Sequence, residues 1–578
     1  MTSHFRVVDY VVRQLVAAGV DHMFGVDGAN IEDLYDAAHF CAGITAVLAK
    51  HESSAAAMAD GYSRTGCGLG VVMATSGGGS LNLVPGLGES LASRVPVLAL
   101  VGQPPTTMDG LGSFQDTSGS NGALNAEALF SAVSLDCRRV TDPTEIVAAL
   151  SDAIAAARRG GPAVLLLPKD IQQSELRHAS SPIQTILALP TPSPSGDLRT
   201  IIRILSHTHG PVSIIAGEQV ARDDAREELE LLRSLLNASI ATVPDAKDVS
   251  GPSETSLGVT GVMGHPGVAE AITKSAVCLV IGTRLNVTSR AGLDEALSNV
   301  QLLSIGSGVP YLPCRHVTSS DLRTSLETLA IEISVIDGMD VLPRRVVNPR
   351  AELTPPPSDA PGIRYRDAID ALDTVLPDGV DIVVDAGNSG AAAIHNLPVR
   401  RSGRFVVALG MGGMGYSFGA GIGMAFGRVV SGSARRTMVI AGDGSFFMHG
   451  MEVHTAVQYR LPITFVLFNN NAHAMCVTRE QLYYQDLYSY NRFQPSLLGA
   501  GLAAMFPGLH SVDVSDPEAL PGVLRDAISV DGPSVVSIEC SADEIPPFAP
   551  FLNQIDHQQH SVTTPKKKEA GADVRARA

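Results

Sequence analysis

Two stretches decide how this chain is read: Thr437-Met438-Val439-Ile440-Ala441-Gly442-Asp443-Gly444-Ser445, and then Ile463-Thr464-Phe465-Val466-Leu467-Phe468-Asn469-Asn470. An apolar run entering a Gly-rich turn predicts a buried strand that feeds a helix. Glycines let a ligand approach the backbone. A helix start presents unpaired N–H groups and the positive end of the helix dipole, so the turn suits a phosphate. Asp443 adds a hard oxygen ligand. The second run predicts a neighbouring strand ending at Asn470, 27 positions after Asp443. Its amide oxygen is also hard, and Mg²⁺ takes few protein oxygens while bridging to phosphates. Both residues would lie at the carboxyl ends of adjacent strands, where open α/β sheets bind ligands. Gly-Asp-Gly alone is only a turn; the asparagines one helix and one strand later turn it into a candidate site.

The same texture extends outward. Strands are predicted at 382–384, 437–440, 463–468 and 534–538 in this unit, at 212–216 and 277–281 in a middle unit, and at 23–26, 44–48, 69–74, 96–101 and 163–167 in the first. Val8, Val11, Val12 and Leu15 fall at helical spacing, with Gly19 as the stop. Continuous apolar runs separated by helical stretches predict parallel, doubly wound sheets. Pro-rich segments at 189–196 and 354–357 separate the units. The expected organisation is α/β throughout, with three doubly wound parallel-sheet domains at 1–185, 196–340 and 360–547. A polar segment, 548–578, is expected as a disordered tail.

Bulk properties exclude several classes. The chain has 578 residues, 45% hydrophobic and 17% charged, an ordinary globular composition for about three domains. Its net charge of −17 argues against nucleic acid as a partner. Seven cysteines form no C-x-x-C pair and are odd in number, against a disulfide framework or a zinc site and for reduced thiols in the cytoplasm. No stretch reaches the roughly 18 apolar residues needed to span a bilayer, and the first residues lack a signal-peptide pattern.

Gly-Asp-Gly with Asn-Asn at this spacing resembles the diphosphate-binding signature of thiamine-diphosphate enzymes. From Val7 to about Glu539 the chain is similar to the large subunit of acetolactate synthase. The resemblance implies thiamine diphosphate and Mg²⁺ as cofactors. The metal would be held by the side chains of Asp443 and Asn470 and the carbonyl of Ala472, with Gly442, Gly444, Ser445 and His473 around the cofactor. It also implies a pyrimidine-binding first domain, a central domain and a diphosphate-binding third domain. In Lys50-His51-Glu52-Ser53, before the helical run ending Gly61-Tyr62-Ser63-Arg64, Glu52 matches the family's glutamate. Its carboxyl group would share a proton with the aminopyrimidine ring, while the cofactor carries the carbanion chemistry. His51 beside it is either a proton relay or packing.

Further stretches match. Ala74 to Leu83 resembles a family loop in which Pro stands at the place of Gly78. Phe114-Gln115 would line the reaction centre, with Gln115 among the catalytic residues. Pro168-Lys169-Asp170-Ile171-Gln172-Gln173 places Lys169 near the substrate channel, where its charge would attract 2-oxo acid carboxylates. Gly412-Gly413-Met414-Gly415 places Met414 as the wedge under the cofactor, with Gly412 beside it, and Gly387-Asn388-Ser389 places Asn388 at the diphosphate. Met475 and Arg479 fall on the substrate side, and Arg479 stands near the position of a family tryptophan that this chain lacks. Asp27-Gly28 replaces a loop with no carboxylate, which adds Asp27 as a candidate proton donor or acceptor and Gly28 as a channel residue. Many members hold FAD in the central domain. Gly282-Thr283-Arg284 matches there, but Leu285-Asn286 and Ser304-Ile305-Gly306 do not, so FAD, another adenine nucleotide or nothing stays open.

The implied reaction is decarboxylation of a 2-oxo acid, pyruvate first, with addition of the acyl carbanion to a second carbonyl compound. The implied assembly is a homodimer or homotetramer in which Glu52 of one subunit faces the Gly-Asp-Gly of its neighbour. Asp27 favours an alternative, a non-ligating decarboxylase that releases an aldehyde. A catalytically silent binding or regulatory homologue is a third reading, against which intact Glu52, Asp443 and Asn470 stand.

Overall fold

The computed structural model describes residues 5–176, 198–251, 255–335, 350–400, 402–433 and 435–563. Three six-stranded sheets follow one another along the chain, and all pairings within them are parallel. The first holds β1 (His22–Val26), β2 (Thr45–Leu48), β3 (Gly70–Ala74), β4 (Val97–Gln103), β5 (Asp136–Arg139) and β6 (Pro162–Pro168), in the order β2-β1-β3-β4-β6-β5. The second holds β7 (Val212–Ala216), β8 (Ser239–Thr242), β9 (Ser256–Val259), β10 (Val277–Ile281), β11 (Gln301–Gly306) and β12 (Arg315–Thr318), in the order β12-β11-β10-β7-β8-β9. The third holds β13 (Asp381–Val384), β14 (Phe405–Val407), β15 (Thr437–Gly442), β16 (Ile463–Asn469), β17 (His510–Val514) and β18 (Ser534–Glu539), in the order β14-β13-β15-β16-β18-β17.

Central strands such as β3, β4, β6, β10 and β16 are buried along their whole length. Helices cover both faces of each sheet, which is why these strands read as unbroken apolar runs. The first and third domains meet through two helices, Glu52–Arg64 and Tyr416–Val430. Their backbones touch: a Cβ on Gly423 would stand 1.9 Å from Met58 O, and one on Gly61 2.1 Å from Ala420 O. Only glycine permits that approach. The two helices run side by side with their starts together, which brings Glu52 and the Met414 turn to one end of the junction.

Two expectations need adjusting. The segment 548–578 is not all tail. A helix forms over Ala549–Thr563, because Phe551 is fully buried against Phe548 and Gln558 donates to Leu482 O at 2.8 Å; the rest of that segment lies outside the described residues. The stretch carrying Gly78, where the family loop has Pro and a looser loop is expected, forms a short helix, Gly78–Leu81. The Pro-rich stretch 189–196, and with it the expected boundary at 185–196, lies outside the described residues. Among the described residues no helix is long and apolar enough to cross a membrane. All seven cysteines are free thiols.

Candidate active site

The first group of site residues lies at the carboxyl ends of β1, β2 and β3. Glu52 opens its helix and is 9% exposed, and Asn82 Nδ2 donates to its Oε2 at 3.0 Å. His51 is the N-cap, its Nδ1 accepting from Ser53 N at 3.1 Å, which assigns it a capping role. Gln115 takes a left-handed backbone (φ 62°), and its Oε1 lies 3.3 to 3.4 Å from Thr75 Oγ1, Ser76 Oγ and Asn30 Nδ2. Gly28 lies against Thr75, where a Cβ would come within 2.8 Å. Asp27 beside it is exposed; burial of part of its carboxyl raises its pKa above the ordinary carboxylate value, with Glu32 adding to the rise. Phe114 is 78% exposed.

Lys169 differs from expectation. Its ammonium is bonded to Ala29 O at 2.6 Å and to Glu32, with Asp33 at 3.9 Å. The helix Glu32–His39 presents those two acids to it, so its charge is already matched rather than offered to a substrate carboxylate.

The second group lies at the carboxyl ends of β13, β15 and β16. Asp443 starts the helix Asp443–His449 and is 1% exposed. Its Oδ2 accepts from Ala472 N at 3.0 Å. Burial pushes its carboxyl up to about 7 against the lowering effect of the Ala472 and Gly444 amides. Asn470 Nδ2 donates to Tyr365 Oη at 3.1 Å, which turns its Oδ1 the other way. Among the described residues, Asp443 Oδ1, Asn470 Oδ1, Asn388 Oδ1 and His473 Nδ1 are buried without a hydrogen-bond partner. Such atoms are costly unless something else meets them. Gly444 sits between His473 and Met414: a Cβ there would be 2.4 Å from His473 Nδ1 and 3.4 Å from Met414 Cε. Gly442 faces Ser389 in the Gly387-Asn388-Ser389 turn. Ser445, Gly412 and Ala472 complete the group, while Met475 is half-buried and Arg479 exposed on the helix Ala474–Tyr484.

Four residues that the sequence reading passed over organise this group. Asp385, after β13, accepts from Gly415 N, Ser417 N and Ser445 Oγ, at 3.0, 3.0 and 2.7 Å, and so ties the Met414 turn to the Gly-Asp-Gly turn. Glu89, from the first domain, accepts from the amides of Gly410, Met411 and Gly412 at 2.6 to 3.3 Å. Tyr365 orients Asn470. His449 lies against Gly415, bonds Ser54 Oγ at 3.1 Å and packs edge-on against His51 at 5.1 Å. A cavity of about 290 Å³ at this junction is lined by Ser54, Asn82, Met414 and His449.

In the central domain, Arg94, Arg222 and Arg284 face one cleft of about 780 Å³ at the ends of β7 and β10. Arg94 crosses from the first domain to bond Ser307 Oγ at 2.5 Å, and Arg284 covers the ring of Tyr311 at 4.1 Å. Burial, with repulsion from the other two guanidinium groups, lowers the pKa of Arg94. Burial pushes Asp245, on the same cleft, up to about 6.

Three family models match in chain order: the thiamine pyrophosphate enzyme N-terminal TPP binding domain over residues 5–124, its central domain over 198–307, and its C-terminal TPP binding domain over 385–538. Among curated proteins the chain is 26% identical to the Methanocaldococcus jannaschii chain named "Probable acetolactate synthase large subunit", covering 93% of each chain. It is 23% identical to the acetolactate synthase isozyme 1 large subunit of Escherichia coli, covering 95% of this chain and 97% of that one. The fold is that of a solved structure described as "X-ray structure of a putative thiamin diphosphate-dependent enzyme isolated from Mycobacterium smegmatis", with a TM-score of 0.79 at 21% identity over 93% of this chain and 99% of that one. With all three of its domains matched in order, around a Gly-Asp-Gly turn and a buried glutamate, the chain belongs to the thiamine pyrophosphate enzyme family and is similar to acetolactate synthase large subunits.

Proposed function

We propose that the chain is a thiamine-diphosphate- and Mg²⁺-dependent enzyme that decarboxylates a 2-oxo acid, with pyruvate the first donor to test, and joins the acyl unit to a second carbonyl compound. One observation carries this reading. Two buried oxygens, Asp443 Oδ1 and Asn470 Oδ1, stand unpartnered beside a Gly-rich turn. Hard oxygens with unmet capacity next to a phosphate-binding backbone fit Mg²⁺. Asp443, Asn470 and the carbonyl of Ala472 would hold the metal. The turns at Gly442–Ser445 and Gly387–Ser389 would hold the diphosphate, with Met414 under the rings and His473 beside them. When bound, thiamine diphosphate supplies the carbanion chemistry that side chains lack.

The chain's own part is to bind, orient and hold a proton. Glu52 is buried and accepts from Asn82; there it would share a proton with the aminopyrimidine ring. Gln115 and Asp27 face the reacting carbonyl; Gly28, Phe114, Met475 and Arg479 line the approach. Glu52 of one chain meets the Gly-Asp-Gly turn of another in a homodimer or homotetramer, working in the cytoplasm. The central cleft suits the phosphates of a nucleotide, and FAD content is read from the visible spectrum of the purified chain. The decisive experiment is mass-spectrometric product analysis with pyruvate, Mg²⁺ and thiamine diphosphate, with and without a panel of aldehyde and ketone acceptors. Acetolactate or another acyloin is the expected product; free aldehyde alone favours the non-ligating decarboxylase, and no turnover of any 2-oxo acid rejects both.

A further inference from the structure

Glu452 ends the short 3₁₀ turn Gly450–Glu452 that follows the helix Asp443–His449. Its carboxylate is 1% exposed. Burying a carboxylate is costly unless donors meet it, so the donors it keeps reveal its task. Among the described residues one is local: Thr455 Oγ1 donates to Oε2 at 2.8 Å. The other two come from the first domain, some four hundred residues away in sequence. Lys50 N donates to Oε1 at 2.8 Å and His51 N at 3.1 Å. These are the two amides immediately before Glu52. His449, three residues earlier, grips the same helix start through Ser54 Oγ and the ring of His51. One continuous element thus begins at Asp443, in the diphosphate motif, and ends on the backbone that aims Glu52.

We propose that Glu452 is a positioning residue for Glu52: by pinning the amides of Lys50 and His51 it fixes where the helix carrying Glu52 begins, and hence where the Glu52 carboxylate meets the cofactor ring. The inference rests on the role given to Glu52 above. It goes further by making the third domain of the chain set the geometry of a residue in the first. An error of about 1 Å in such a group is costly to catalysis even when the group is present.

The test compares Glu452→Met, which keeps the bulk and loses the acceptors, with Glu452→Gln, which keeps Oε1 for both amides. Hydrogen–deuterium exchange of the peptide spanning residues 48–54 is measured on the cofactor-free chain. Exchange of the thiamine diphosphate C2 proton into D₂O is measured on the loaded chain. The Met variant is expected to speed amide exchange at Lys50 and His51 about 10- to 100-fold, the worth of hydrogen bonds to a charged group. It should slow C2-proton exchange by a similar factor while cofactor affinity stays within about threefold of wild type. The Gln variant should restore both rates. If the Met variant does not fold, Glu452→Asp, one methylene short of the amides, carries the same expectation in weaker form. Unchanged amide exchange overturns the proposal, and so does loosened amide exchange with an unchanged C2 rate. A wild-type chain that does not exchange the C2 proton contradicts the proposed function instead, and the amide readout still decides whether Glu452 holds the turn.

Discussion

The first and third sheets have the same strand order, β2-β1-β3-β4-β6-β5 against β14-β13-β15-β16-β18-β17, yet the sites at their carboxyl ends differ in kind and draw on partly different strands: β1, β2 and β3 in one, β13, β15 and β16 in the other. In both, the order reverses at the first and third strands, the switch point where open α/β sheets bind ligands. After β1, β2 and β3 stand Asp27, Glu52 and Thr75-Ser76: Gln115 Oε1 lies within reach of Thr75, Ser76 and Asn30, and Asn82 donates to Glu52. After β13, β15 and β16 stand Asp385, Asp443 and Asn470, and among the described residues Asp443 Oδ1 and Asn470 Oδ1 are buried without partners, as is Asn388 Oδ1 beside them. One backbone plan serves twice. In the first, Asn82 holds the Glu52 carboxylate; in the third, the unmet oxygens leave room for a cation. The central sheet, ordered β9-β8-β7-β10-β11-β12 from its other edge, has its switch point between β7 and β10, where the arginine cleft opens.

If that division is right, changes in the first half strike turnover and changes in the third strike cofactor affinity. The largest effect is expected from Glu52→Gln. Turnover should fall by about 10²- to 10⁴-fold, the usual worth of a positioned proton-transfer group, with calorimetric affinity for thiamine diphosphate and Mg²⁺ nearly unchanged. A matching loss of affinity would break the comparison. Asp443→Ala should do the reverse and weaken Mg²⁺-dependent cofactor binding by at least about 100-fold. Mixing the two inactive variants sharpens the test. When sites form between chains, half of randomly paired dimers are mixed and each has one intact site, so about a quarter of wild-type activity returns. Sites built within one chain would return none.

Tyr365→Phe is the smaller change in the third domain. The Tyr365 hydroxyl accepts from Asn470 Nδ2 and so keeps the amide oxygen turned away from Tyr365. Without it the amide is free to flip. Mg²⁺ affinity should fall about tenfold, as for other partners that orient a metal ligand, and turnover at saturating Mg²⁺ should survive. A variant titrating Mg²⁺ like wild type would show that packing alone orients Asn470.

How far the sequence reaches follows the same physics. β7 and β10 coincide with their expected limits, because strands buried on both faces read as unbroken apolar runs. The edge strands β5, β12 and β17 give no such run, since each is only partly buried. The Gly-Asp-Gly turn, Asn470, Glu52 and Met414 are legible because each lies in a contiguous motif. Asp385, Glu89, Glu452, His449 and Tyr365 are not, because each acts on partners 30 to 402 positions away. An isolated acid at a strand or helix end looks like a solvated one until the fold shows what it holds. Lys169 errs the other way: its motif is legible, but the acids that occupy it come from a different helix.

The remaining prediction concerns the joint between the central and third domains, where no catalytic chemistry is assigned. His265 and His395 stack there with ring centroids 4.3 Å apart, both buried. Burial, with the positive charge of Arg350, pushes His265 down to about 2, and burial pushes His395 down to about 4. An unfolded histidine titrates near about 6.5. Above that pH both states are neutral and the pair adds no pH dependence. Below it the unfolded chain binds protons that the folded chain refuses, so stability falls as pH drops toward 4, by about 1.4 kcal/mol per pH unit for each histidine. Glu544 works in the opposite sense: burial pushes its carboxyl up to about 7, so its contribution is present at low pH and is lost as pH rises through 7. A raw stability profile therefore mixes both signs. The difference between wild type and His395→Gln, measured by urea unfolding of the cofactor-free chain between about pH 7.5 and 4.5, cancels Glu544 and leaves the histidine. Wild-type stability minus that of the variant should rise with pH by about one proton's worth per pH unit below about pH 6.5 and stay level above it. Parallel slopes throughout would mean that His395 takes up its proton in the folded chain, and that the joint opens to water more readily than its stacked, buried rings imply.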